Sequence, residues 1–414
     1  MRSADVAIVG GGPYGISLGA YLTSRGISFR IFGRPMAAWR PMPRNLFLKS
    51  VGFATSIPVP ERGHDFPTWL AARGKETLEP ISYADFYDYG VEIQERFVPS
   101  VEAVDVSEIR RDGQSFVLTL ENGEQLNAKS VVIAVGLGPF RRMPEVFSGL
   151  PPELVSHTFA NYDFGHLSGK DVAVIGAGSS ATEAAVVLAE AGARTVLISR
   201  SPPKFHTMTA RERSLLERFR NPMTVFGASG HLQWVLEKAP WFPRFVPEER
   251  RVRFAMGFNG PAGTWWVEER IRGKVEVRTG LTPTAAREEN GRLKLTLANG
   301  VGSSVQTFDH VICGTGYVHD IAKLKFLHPS VLGELSLIQG RAPRLSGTFE
   351  STVPGLHVIG PFSAFAFGPA FRFVCGASYT IPVIARALTA RHRARKPGRE
   401  TAEVPVSSGA RPAA

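Results

Sequence analysis

The sequence predicts an α/β fold in which one βαβ-based domain is inserted into another. The stretch "DVAIVGGGPYGISLGAYLTSRGISFRIF" begins at residue 5, and "DVAVIGAGSSATEAAVVLAEAGARTVLIS" begins at residue 171. Each has a β-branched strand, a glycine turn, a helix of small residues and a second apolar strand, which is the pattern of a βαβ unit. Each is followed by an alternating hairpin pattern and a buried strand that leads into another glycine turn, at Gly136 and in "CGTGY". The two halves of the chain therefore share one plan.

The first glycine turn of each unit has the composition of a phosphate-binding turn. Glycine permits a sharp turn and a close approach of the backbone to a pyrophosphate, while the following helix directs free N–H groups at the phosphates. We therefore predict two Rossmann-like dinucleotide-binding domains, with turns that hold no ligand as the alternative. The residues are Gly10, Gly12, Pro13, Tyr14 and Gly15 in the first unit, and Gly176, Gly178, Ser179, Ser180 and Ala181 in the second.

The two units differ at the end of the far strand. In the second unit this strand ends on Ser199 and Arg200. A guanidinium group there suits a cofactor with a 2′-phosphate on its adenosine ribose, so the residues predict NADPH rather than NADH. The alternative is that Arg200 is an ordinary surface arginine. In the first unit the strand runs into "IFGRP", where Gly33 and Arg34 replace the acid that usually holds a ribose.

Composition limits the class of protein. The 414 residues are enough for two or three domains, and 43% hydrophobic with 21% charged residues is typical of a soluble globular protein. The only cysteines, Cys313 and Cys375, form no CxxC pair or zinc pattern, and the ten histidines have no ligand spacing. We expect no bound metal, no signal peptide and no membrane contact, because the first strand starts at residue 5 and the apolar stretch 361–388 is interrupted by Gly, Pro and Arg. The expected location is the cytoplasm.

The net charge of +11 includes a basic C-terminal segment. Residues 391–414 contain six basic and two acidic side chains, with no aromatic residue between them and with Pro, Gly, Ser and Ala following. This composition predicts a disordered tail, with a nucleic-acid-binding arm as the alternative. We therefore expect no nucleic-acid partner, and the sequence leaves the presence of a homo-oligomer open.

These residues resemble the two-dinucleotide-binding flavoproteins and, among them, the class B flavin monooxygenases, from residue 5 to about residue 390. The resemblance rests on "VVIAVG" at 131–136, "CGTGY" at 313–317 and "PGLHVIGPFSAFAFGPAFRFVCG" at 354–376. The segments "GRPMAAWR", "LKS" and "GPAGTWW" are similar to a bacterial subgroup sometimes labelled urate hydroxylase or dimethylaniline monooxygenase. The family's fold places FAD on the first unit and NADPH on the inserted unit.

The resemblance implies a division of the chain. Residues 1–165 would form the first part of the FAD domain, 166–305 the inserted NADPH domain with a lid-like segment at 206–268, and 306–390 the second part of the FAD domain. Residues 391–414 would be the tail. The implied reaction uses NADPH and O₂ to oxygenate a small molecule at nitrogen or sulfur, through a peroxide on carbon 4a of the flavin. The alternatives are a flavin reductase or NADPH oxidase without oxygen insertion, and a non-catalytic nucleotide-binding sensor.

The resemblance also suggests catalytic residues. Lys49 and Ser50 would lie near the flavin, where Lys49 would stabilise the peroxide or bind a substrate anion; the alternative for Lys49 is a solvated surface charge. Arg372 would neutralise reduced flavin, or form a salt bridge at the edge of the core. Cofactor contacts would also come from Arg34, Trp39, Arg40, Gly136, Gly314, Thr315, Gly316, Gly360, Pro361, Gly368 and Pro369.

The sequence departs from the family at two places. In the subgroup Gly-Arg replaces the ribose-binding acid as it does here, so we expect Gly33 to let the backbone come close and Arg34 to pack on the adenine or ribose of FAD. A second 2′-phosphate site at Arg34 is the alternative. The FxGxxxHxxxW motif of the Baeyer–Villiger members is not reproduced, since Phe147 and Gly149 are followed by His157 and then by Tyr162. His157 would either orient the interdomain linker or pack within it.

Overall fold

The computed structural model describes residues 2–43, 45–50, 52–77, 81–160, 163–206, 214–224, 227–228, 231–257 and 262–394. The helices in these ranges are α1 (Pro13–Ser24), α2 (Phe66–Ala71), α3 (Tyr83–Phe97), α4 (Ser179–Glu190), α5 (Leu215–Arg220), α6 (His231–Lys238), α7 (Glu248–Gly257), α8 (Trp265–Ile271), α9 (Pro329–Gly333), α10 (Ala364–Phe367) and α11 (Ala377–Ala394). Tyr162 lies outside the described residues.

The described strands form one mixed sheet, one parallel sheet, one three-stranded antiparallel sheet and four two-stranded pairs. They are β1 (Arg2–Val9), β2 (Phe29–Phe32), β3 (Phe47–Leu48), β4 (Ile81–Ser82), β5 (Val106–Asp112), β6 (Ser115–Leu120), β7 (Gln125–Ile133), β8 (Val155–His157), β9 (Asp171–Ile175), β10 (Arg194–Ser199), β11 (Phe205–His206), β12 (Met223–Thr224), β13 (Gly227–Ala228), β14 (Gly263–Thr264), β15 (Glu276–Thr279), β16 (Thr282–Glu289), β17 (Arg292–Ala298), β18 (Ser303–Phe308), β19 (His310–Cys313), β20 (Leu337–Ile338), β21 (Ala342–Pro343) and β22 (Leu356–Val358).

The first sheet has the strand order β2-β1-β7-β6-β5, with β22 also paired to β7. Strands β2, β1, β7 and β22 are mutually parallel, while β5 and β6 form an antiparallel hairpin with the first half of β7. The long strand β7 therefore leaves the hairpin and enters the parallel sheet, as the alternating pattern followed by a buried run predicts. Its second half pairs with β22, which comes from the far end of the chain.

The second sheet repeats this plan with strand order β15-β10-β9-β19-β8. All of its pairings are parallel, and the hairpin strands β16, β17 and β18 form a separate antiparallel sheet beside it. The expected α/β fold, with one Rossmann-like unit inserted into another, is confirmed.

The ends of the inserted unit differ from the expected boundaries at 166 and 305. Strands β8 and β19 both belong to the second sheet, because β19 pairs with β9 on one side and with β8 on the other. The inserted sheet therefore begins near residue 155 and ends near residue 313. The three-residue strand β8 is too short to give a periodic signal in the sequence, which explains why its membership was not predicted.

The core follows the alternation of the central strands. Along β1, Val6 and Ile8 face one apolar cluster of the first sheet, and Ala7 and Val9 face the other. Helices α1, α3 and α11 pack against the first of these two clusters. The two faces of β9 are buried in the same alternating way. On one face, Val172 and Val174 pack with α4 and α8. A parallel strand that is buried on both faces needs such a continuous apolar run.

Two further expectations need correction. The lid-like segment 206–268 is too long, because β11 and β14 pair in parallel and close the excursion at 205–206 and 263–264. Trp265 and Trp266 belong to α8 in the core. The tail does not begin at 391, because α11 continues to Ala394, Arg391 pairs with Glu350 at 2.6 Å and His392 is buried. Residues 395–414 lie outside the described residues.

The chain passes between the two units twice, and the two passages are hydrogen bonded to each other. Arg142 N–H donates to Gly316 O at 2.9 Å, and Val318 N–H donates to Phe140 O at 2.7 Å. His157 Nδ1 accepts from Phe159 N–H at 3.1 Å, so its Nε2–H donates to Gly316 O at 3.2 Å. His157 therefore holds the interdomain linker, which is the first of the two roles considered for it.

Candidate functional site

The turn after β1 has the shape that a pyrophosphate needs. Gly10 has a φ of +128°, and a Cβ atom on Gly10 would collide with the backbone of Ala134. A Cβ atom on Gly15 would in turn collide with Gly10 O. At Gly12, the N-cap of α1, no heavy atom lies within 4 Å of the Cβ position. The glycines at 10 and 15 thus bring strand and helix together, and the one at 12 borders open space in front of the helix N-terminus.

The second unit has the same turn, but the alanine methyl group lies on the helix instead of after the return strand. A Cβ atom on Gly176 would collide with Gly314 O, and Gly178 is the N-cap of α4. A Cβ atom on Gly314 would lie 2.5 Å from Ala181 Cβ and 2.6 Å from Ala181 Cα. In the first unit the helix carries glycine (Gly15) and the return strand is followed by alanine (Ala134). In the second unit the helix carries the alanine and the return strand is followed by the glycine.

Parallel strands bring the other predicted cofactor residues to the same edges. Strands β1, β7 and β22 of the first sheet are followed within three residues by Gly10, Gly136 and Gly360, and no heavy atom lies within 4 Å of the Cβ position of Gly136 or Gly360. Strands β9, β10 and β19 of the second sheet are followed directly by Gly176, Arg200 and Gly314. Ligands of open α/β sheets bind outside the carboxyl ends of the strands. These residues therefore form two candidate dinucleotide sites, one on each sheet.

Gly33 and Arg34 occupy different environments. Gly33 has a φ of +113° and a Cβ atom there would lie 3.2 Å from Gly11 N, so this glycine lets "IFGRP" lie against the phosphate turn. Arg34 is exposed, and its guanidinium is 3.9 Å from the carboxylate of Asp105. The approach of the Gly33 backbone to a bound FAD stays a prediction. Contact between Arg34 and a bound adenosine stays a prediction.

Tyr14 connects the first phosphate turn to the segment 360–376. Its hydroxyl donates to Phe373 O at 2.8 Å, and a Cβ atom on Gly376 would lie 2.5 Å from that hydroxyl. Burial raises the pKa of Tyr14 well above its ordinary value, so the phenol stays protonated. In the same segment Gly360 and Gly368 have φ of +81° and +99° and flank the turns at Pro361 and Pro369.

Lys49 is half-buried and connects the two units. Its ammonium donates to Ala262 O at 2.6 Å, just before the chain re-enters the second unit at β14. Burial lowers the pKa of Lys49, and the carboxylate of Glu183 partly opposes this. The ammonium thus has a protein partner, and its role beside a flavin stays a prediction. Ser50 shares a hydrogen bond of 2.8 Å with Thr55 Oγ1, so its hydroxyl already has a protein partner.

Glu183 is the electrostatic partner of Lys49 that the sequence did not reveal. It lies on α4, is 4% exposed, and accepts a hydrogen bond of 2.7 Å from Ser179 Oγ in the first turn of the helix. Burial raises the pKa of Glu183, while Lys49 and Arg270 lower it. A buried carboxyl with a raised pKa that interacts with a half-buried amine with a lowered pKa is an arrangement common at functional sites.

His319 is a second residue that the sequence did not reveal. It is 7% exposed, and neither ring nitrogen has a hydrogen-bond partner among the described residues. The rings of Phe140, Phe362 and Phe365 surround it at centroid distances of 5.8–6.2 Å. Burial lowers the pKa of His319 to about 4, with further lowering by Arg372 and Lys323. It is therefore neutral near pH 7.

The other predicted residues lie near the turns in several ways. Arg372 is half-buried with its guanidinium 5.5 Å from the Phe373 ring centroid, and burial lowers the pKa of Arg372. Trp39 packs against Phe86, with ring centroids 4.6 Å apart. Arg40 and Arg200 are exposed, Ser180 is half-buried, Ser199 Oγ donates to Ser201 O at 2.7 Å, and Thr315 Oγ1 donates to Arg142 O.

Comparison with known proteins identifies the family. Residues 7–232 match the model of a family described as pyridine nucleotide-disulphide oxidoreductase. The chain belongs to this family. It is 28% identical over 262 residues to the ferredoxin–NADP reductase of Thermus thermophilus, a match that covers 62% of this chain and 67% of that one. It is 25% identical over 340 residues to the indole-3-pyruvate monooxygenase YUCCA1 of Oryza sativa subsp. japonica, covering 75% and 76%.

A solved structure supports the same architecture. The ornithine hydroxylase PvdA of Pseudomonas aeruginosa superposes with a TM-score of 0.73 at 17% identity, over 94% of this chain and all of that one. The resemblance to two-dinucleotide flavoproteins and class B flavin monooxygenases is confirmed. The oxidoreductase uses FAD and NADPH. The open space at Gly12 and at the N-terminus of α1 fits the one pyrophosphate, and the turn at Gly176–Gly178 fits the other.

Proposed function

We propose that this chain is an FAD- and NADPH-dependent monooxygenase that transfers one oxygen atom of O₂ to nitrogen or sulfur of a small molecule. The observation that carries the proposal is the state of its thiols. The family includes disulphide reductases, which exchange electrons through cysteine sulfur. This chain has two cysteines, on β19 and just before α11, and both are unbonded.

Neither thiol is suited to redox exchange. Burial raises the pKa of Cys313 and of Cys375 to about 12, so both thiols stay protonated near pH 7. Thiol–disulfide exchange needs the thiolate. Electrons that reach the flavin from NADPH must therefore go to an acceptor other than these thiols. Several relatives are named monooxygenases, and the acceptor that this name implies is molecular oxygen.

The choice of nitrogen or sulfur rests on the structural relatives. The superposed structures include ornithine hydroxylases and a cadaverine monooxygenase, whose named substrates are amines. Their sequence identity to this chain is 15–17%. These names share a basic nitrogen in a small substrate, which supports an amine as substrate here, while a thioether is kept from the resemblance to the class B flavin monooxygenases.

The residues of this chain would bind the two cofactors and exclude water from the site. When bound, FAD takes up hydride from NADPH and activates O₂, which is chemistry that no side chain supplies. The N-terminus of α1 and the turn at Gly12 would hold the pyrophosphate of FAD, and α4 with Arg200 would hold the phosphates of NADPH. The phenylalanines of 360–376 keep water away. Four of them (Phe362, Phe365, Phe367 and Phe371) are at most 5% exposed, and Phe373 is 42% exposed.

The test is incorporation of labelled oxygen. The purified chain, loaded with FAD, is incubated with NADPH, ¹⁸O₂ and a panel of primary amines, diamines and thioethers. The proposal predicts one ¹⁸O atom in a product whose formation requires NADPH. Consumption of NADPH with peroxide release and no labelled product from any class would contradict it.

The NADPH assignment has its own variant. Arg200→Ala should raise the Michaelis constant for NADPH by about tenfold or more, because a two-bond guanidinium–phosphate contact is lost, and should leave the constant for NADH unchanged. The matched control is Arg110→Ala, an exposed arginine on β5 of the other sheet. Equal effects on both nucleotides would show that Arg200 does not read the 2′-phosphate.

A reductase without oxygen insertion is the second candidate. It is favoured by the match to a ferredoxin–NADP reductase, which covers 62% of this chain. The two candidates share the cofactor sites and differ in the fate of the electrons. The ratio of oxygenated product to NADPH consumed separates them, since a monooxygenase approaches one and a reductase gives none.

A further inference from the structure

Exposed apolar side chains are concentrated in one part of the molecule. The described residues include sixteen large hydrophobic side chains that are exposed, and ten of them lie between residues 215 and 256. We call nine of these the insert face: Leu215, Leu216, Phe219, Leu232, Trp234, Val235, Trp241, Phe242 and Phe245. Single exposed apolar residues are normal on a protein surface, but a contiguous group marks a surface that binds something.

Helix α5 gives the clearest signal within the insert face. None of its residues, Leu215–Arg220, is buried, and Leu215 and Phe219 are 84% and 76% exposed. A capping box formed by Ser214 and Glu217 fixes the start of the helix. A helix of six residues has too few internal hydrogen bonds to be stable in water without a packing partner. Within the part of the chain that the structure describes, α5 is packed into no core, so its apolar side chains are available to a partner.

The rest of the face is continuous with α5. The ring of Phe219 is 6.1 Å from that of His231 at the start of α6, and Phe242 N–H donates to Ala239 O just after α6. The turn Phe242–Phe245 therefore follows α6 directly. Phe245 is 75% exposed, and Trp241 is 48% exposed with its ring 6.1 Å from that of Phe245.

The opposite side of the same turn is anchored to the first unit. Pro243 is buried and lies 3.4 Å from the Cβ position of Gly368, and the Arg244 guanidinium is 5.5 Å from the centroid of the Phe367 ring. Arg251 donates to Phe365 O at 2.7 Å. The apolar side chains are thus presented outward by a fixed base, immediately outside the segment 360–376.

The charge around the insert face is positive. Residues 214–257 contain seven arginine and lysine residues and four glutamates, and Arg244 and Arg251 among the cations belong to the anchored side, which leaves five cations beside the four glutamates. Arg218 and Arg220 lie on α5 between the apolar side chains, and Lys238, Arg250 and Arg253 are exposed nearby. The whole chain carries a net charge of +11. Such a surface is attracted to a negatively charged partner.

We propose that the insert face docks on the surface of a lipid bilayer that contains anionic lipids. Leucine, phenylalanine and tryptophan side chains would enter the interfacial layer, while the arginines would pair with lipid phosphates. Among the described residues no helix is both long and apolar enough to cross a bilayer, so the contact lies at the membrane surface. The expectation of no membrane contact is thereby revised for this face. The proposal is independent of the oxygenation chemistry.

The observations favour a bilayer over two other occupants. A second copy of the chain would bring this positive face against itself or against a surface of the same overall charge, which opposes association. An acidic protein would satisfy the charge, but it would need a complementary concave surface for a protruding helix. A bilayer has no fixed shape and admits protruding side chains such as Leu215 at no cost in fit.

The experiment is vesicle binding by the purified full chain. Vesicles of phosphatidylcholine, with and without phosphatidylglycerol, are titrated, and binding is followed by co-sedimentation and by tryptophan emission. We expect binding that requires phosphatidylglycerol, weakens as salt is raised and shifts the emission to shorter wavelength. The double variant Leu215→Glu/Phe219→Glu should bind about tenfold or more weakly. The matched control Val301→Glu/Val305→Glu changes two exposed valines outside the face, 97% and 57% exposed, and should bind as the unchanged chain does.

Each other outcome would overturn the proposal. Equal binding by Leu215→Glu/Phe219→Glu and the control would mean adsorption through charge elsewhere. Absence of binding to either kind of vesicle would exclude the bilayer. A concentration-dependent dimer that Leu215→Glu/Phe219→Glu dissociates, without vesicle binding, would assign the face to a second copy. Trp234→Phe/Trp241→Phe locates the emission shift, which must be lost in this variant if the face enters the bilayer.

Discussion

Replacing Gly314 with alanine tests how the second phosphate turn is built. The added Cβ atom would lie 2.5 Å from Ala181 Cβ, 2.6 Å from Ala181 Cα and 2.9 Å from Ala181 N. Ordinary contacts of this type are 3.5–4.0 Å, so helix α4 and the strand end must separate by about 1 Å. Overpacking of this kind costs about 1–3 kcal/mol, and two of the three contacts are with backbone atoms that cannot rotate away. We therefore expect about 3 kcal/mol of destabilisation.

The displacement also has a functional consequence. Ala181 lies in the first turn of α4, whose N-terminus is the proposed binding site for the phosphates of NADPH. Gly314→Ala should therefore lower the melting temperature and weaken NADPH binding by at least tenfold, while FAD binding at the first unit should change little. The assays are thermal unfolding and a titration of nucleotide binding. Gly302→Ala is the matched control, because Gly302 has no heavy atom within 4 Å of its Cβ position.

A double variant tests the same reasoning through the other partner. Ala181→Gly/Gly314→Ala moves the methyl group from the helix to the strand end, which is the arrangement of Gly15 and Ala134 in the first unit. The two substitutions should couple by at least about 1 kcal/mol, with incomplete recovery because the contact with the Cα atom remains. Gly314→Ala within about 0.5 kcal/mol of the unchanged chain, or strictly additive effects in the double variant, would refute this account.

Three further predictions concern buried polar groups. Tyr14→Phe removes the hydrogen bond to Phe373 O and should cost about 1 kcal/mol and accelerate FAD release, as measured by thermal unfolding and flavin fluorescence. His319 has a folded pKa of about 4 against an ordinary 6.5, so the unfolded chain binds more protons and stability falls as pH drops from 6.5 towards 4. His319→Phe should remove up to about 3 kcal/mol of this acid sensitivity, and an unchanged pH profile of unfolding would contradict the assignment. Lys49→Met should destabilise more than Lys49→Met/Glu183→Gln does, because the single change leaves a buried carboxyl without its cation; additive losses would exclude the coupling.

Local chemistry explains what the sequence could predict. The turns at Gly10–Gly15 and Gly176–Ala181 were predictable because a sharp backbone turn followed by a helix N-terminus requires particular residues within a stretch of six. The exchange of glycine and alanine at positions 181 and 314 could also be found in the sequence. Aligning the two return strands pairs Gly314 with Ala134. Its meaning required the distances, because the two residues are far apart along the chain.

Long-range packing explains what the sequence did not predict. Glu183 is one of several polar residues on α4, and only the approach of Lys49 from the other unit distinguishes it. His319 follows "CGTGY" without a pattern of its own, and its burial comes from Phe140 and Phe362, which lie far away in sequence. The early start assigned to the tail has a similar cause. The basic composition around His392 gave no indication that this residue is buried. His392 is 2% exposed and hydrogen bonded to Ser130 at 3.1 Å.

If the two glycine turns hold FAD and NADPH, electrons should pass from NADPH to the flavin. An absorbance spectrum of the purified chain with FAD, recorded without oxygen before and after NADPH is added, measures this transfer. We expect one FAD per chain, bleaching of the flavin bands by NADPH, and their return when air is admitted. A chain that binds no FAD, or a bound flavin that NADPH does not bleach, would show that the turns do not hold two cofactors that exchange electrons.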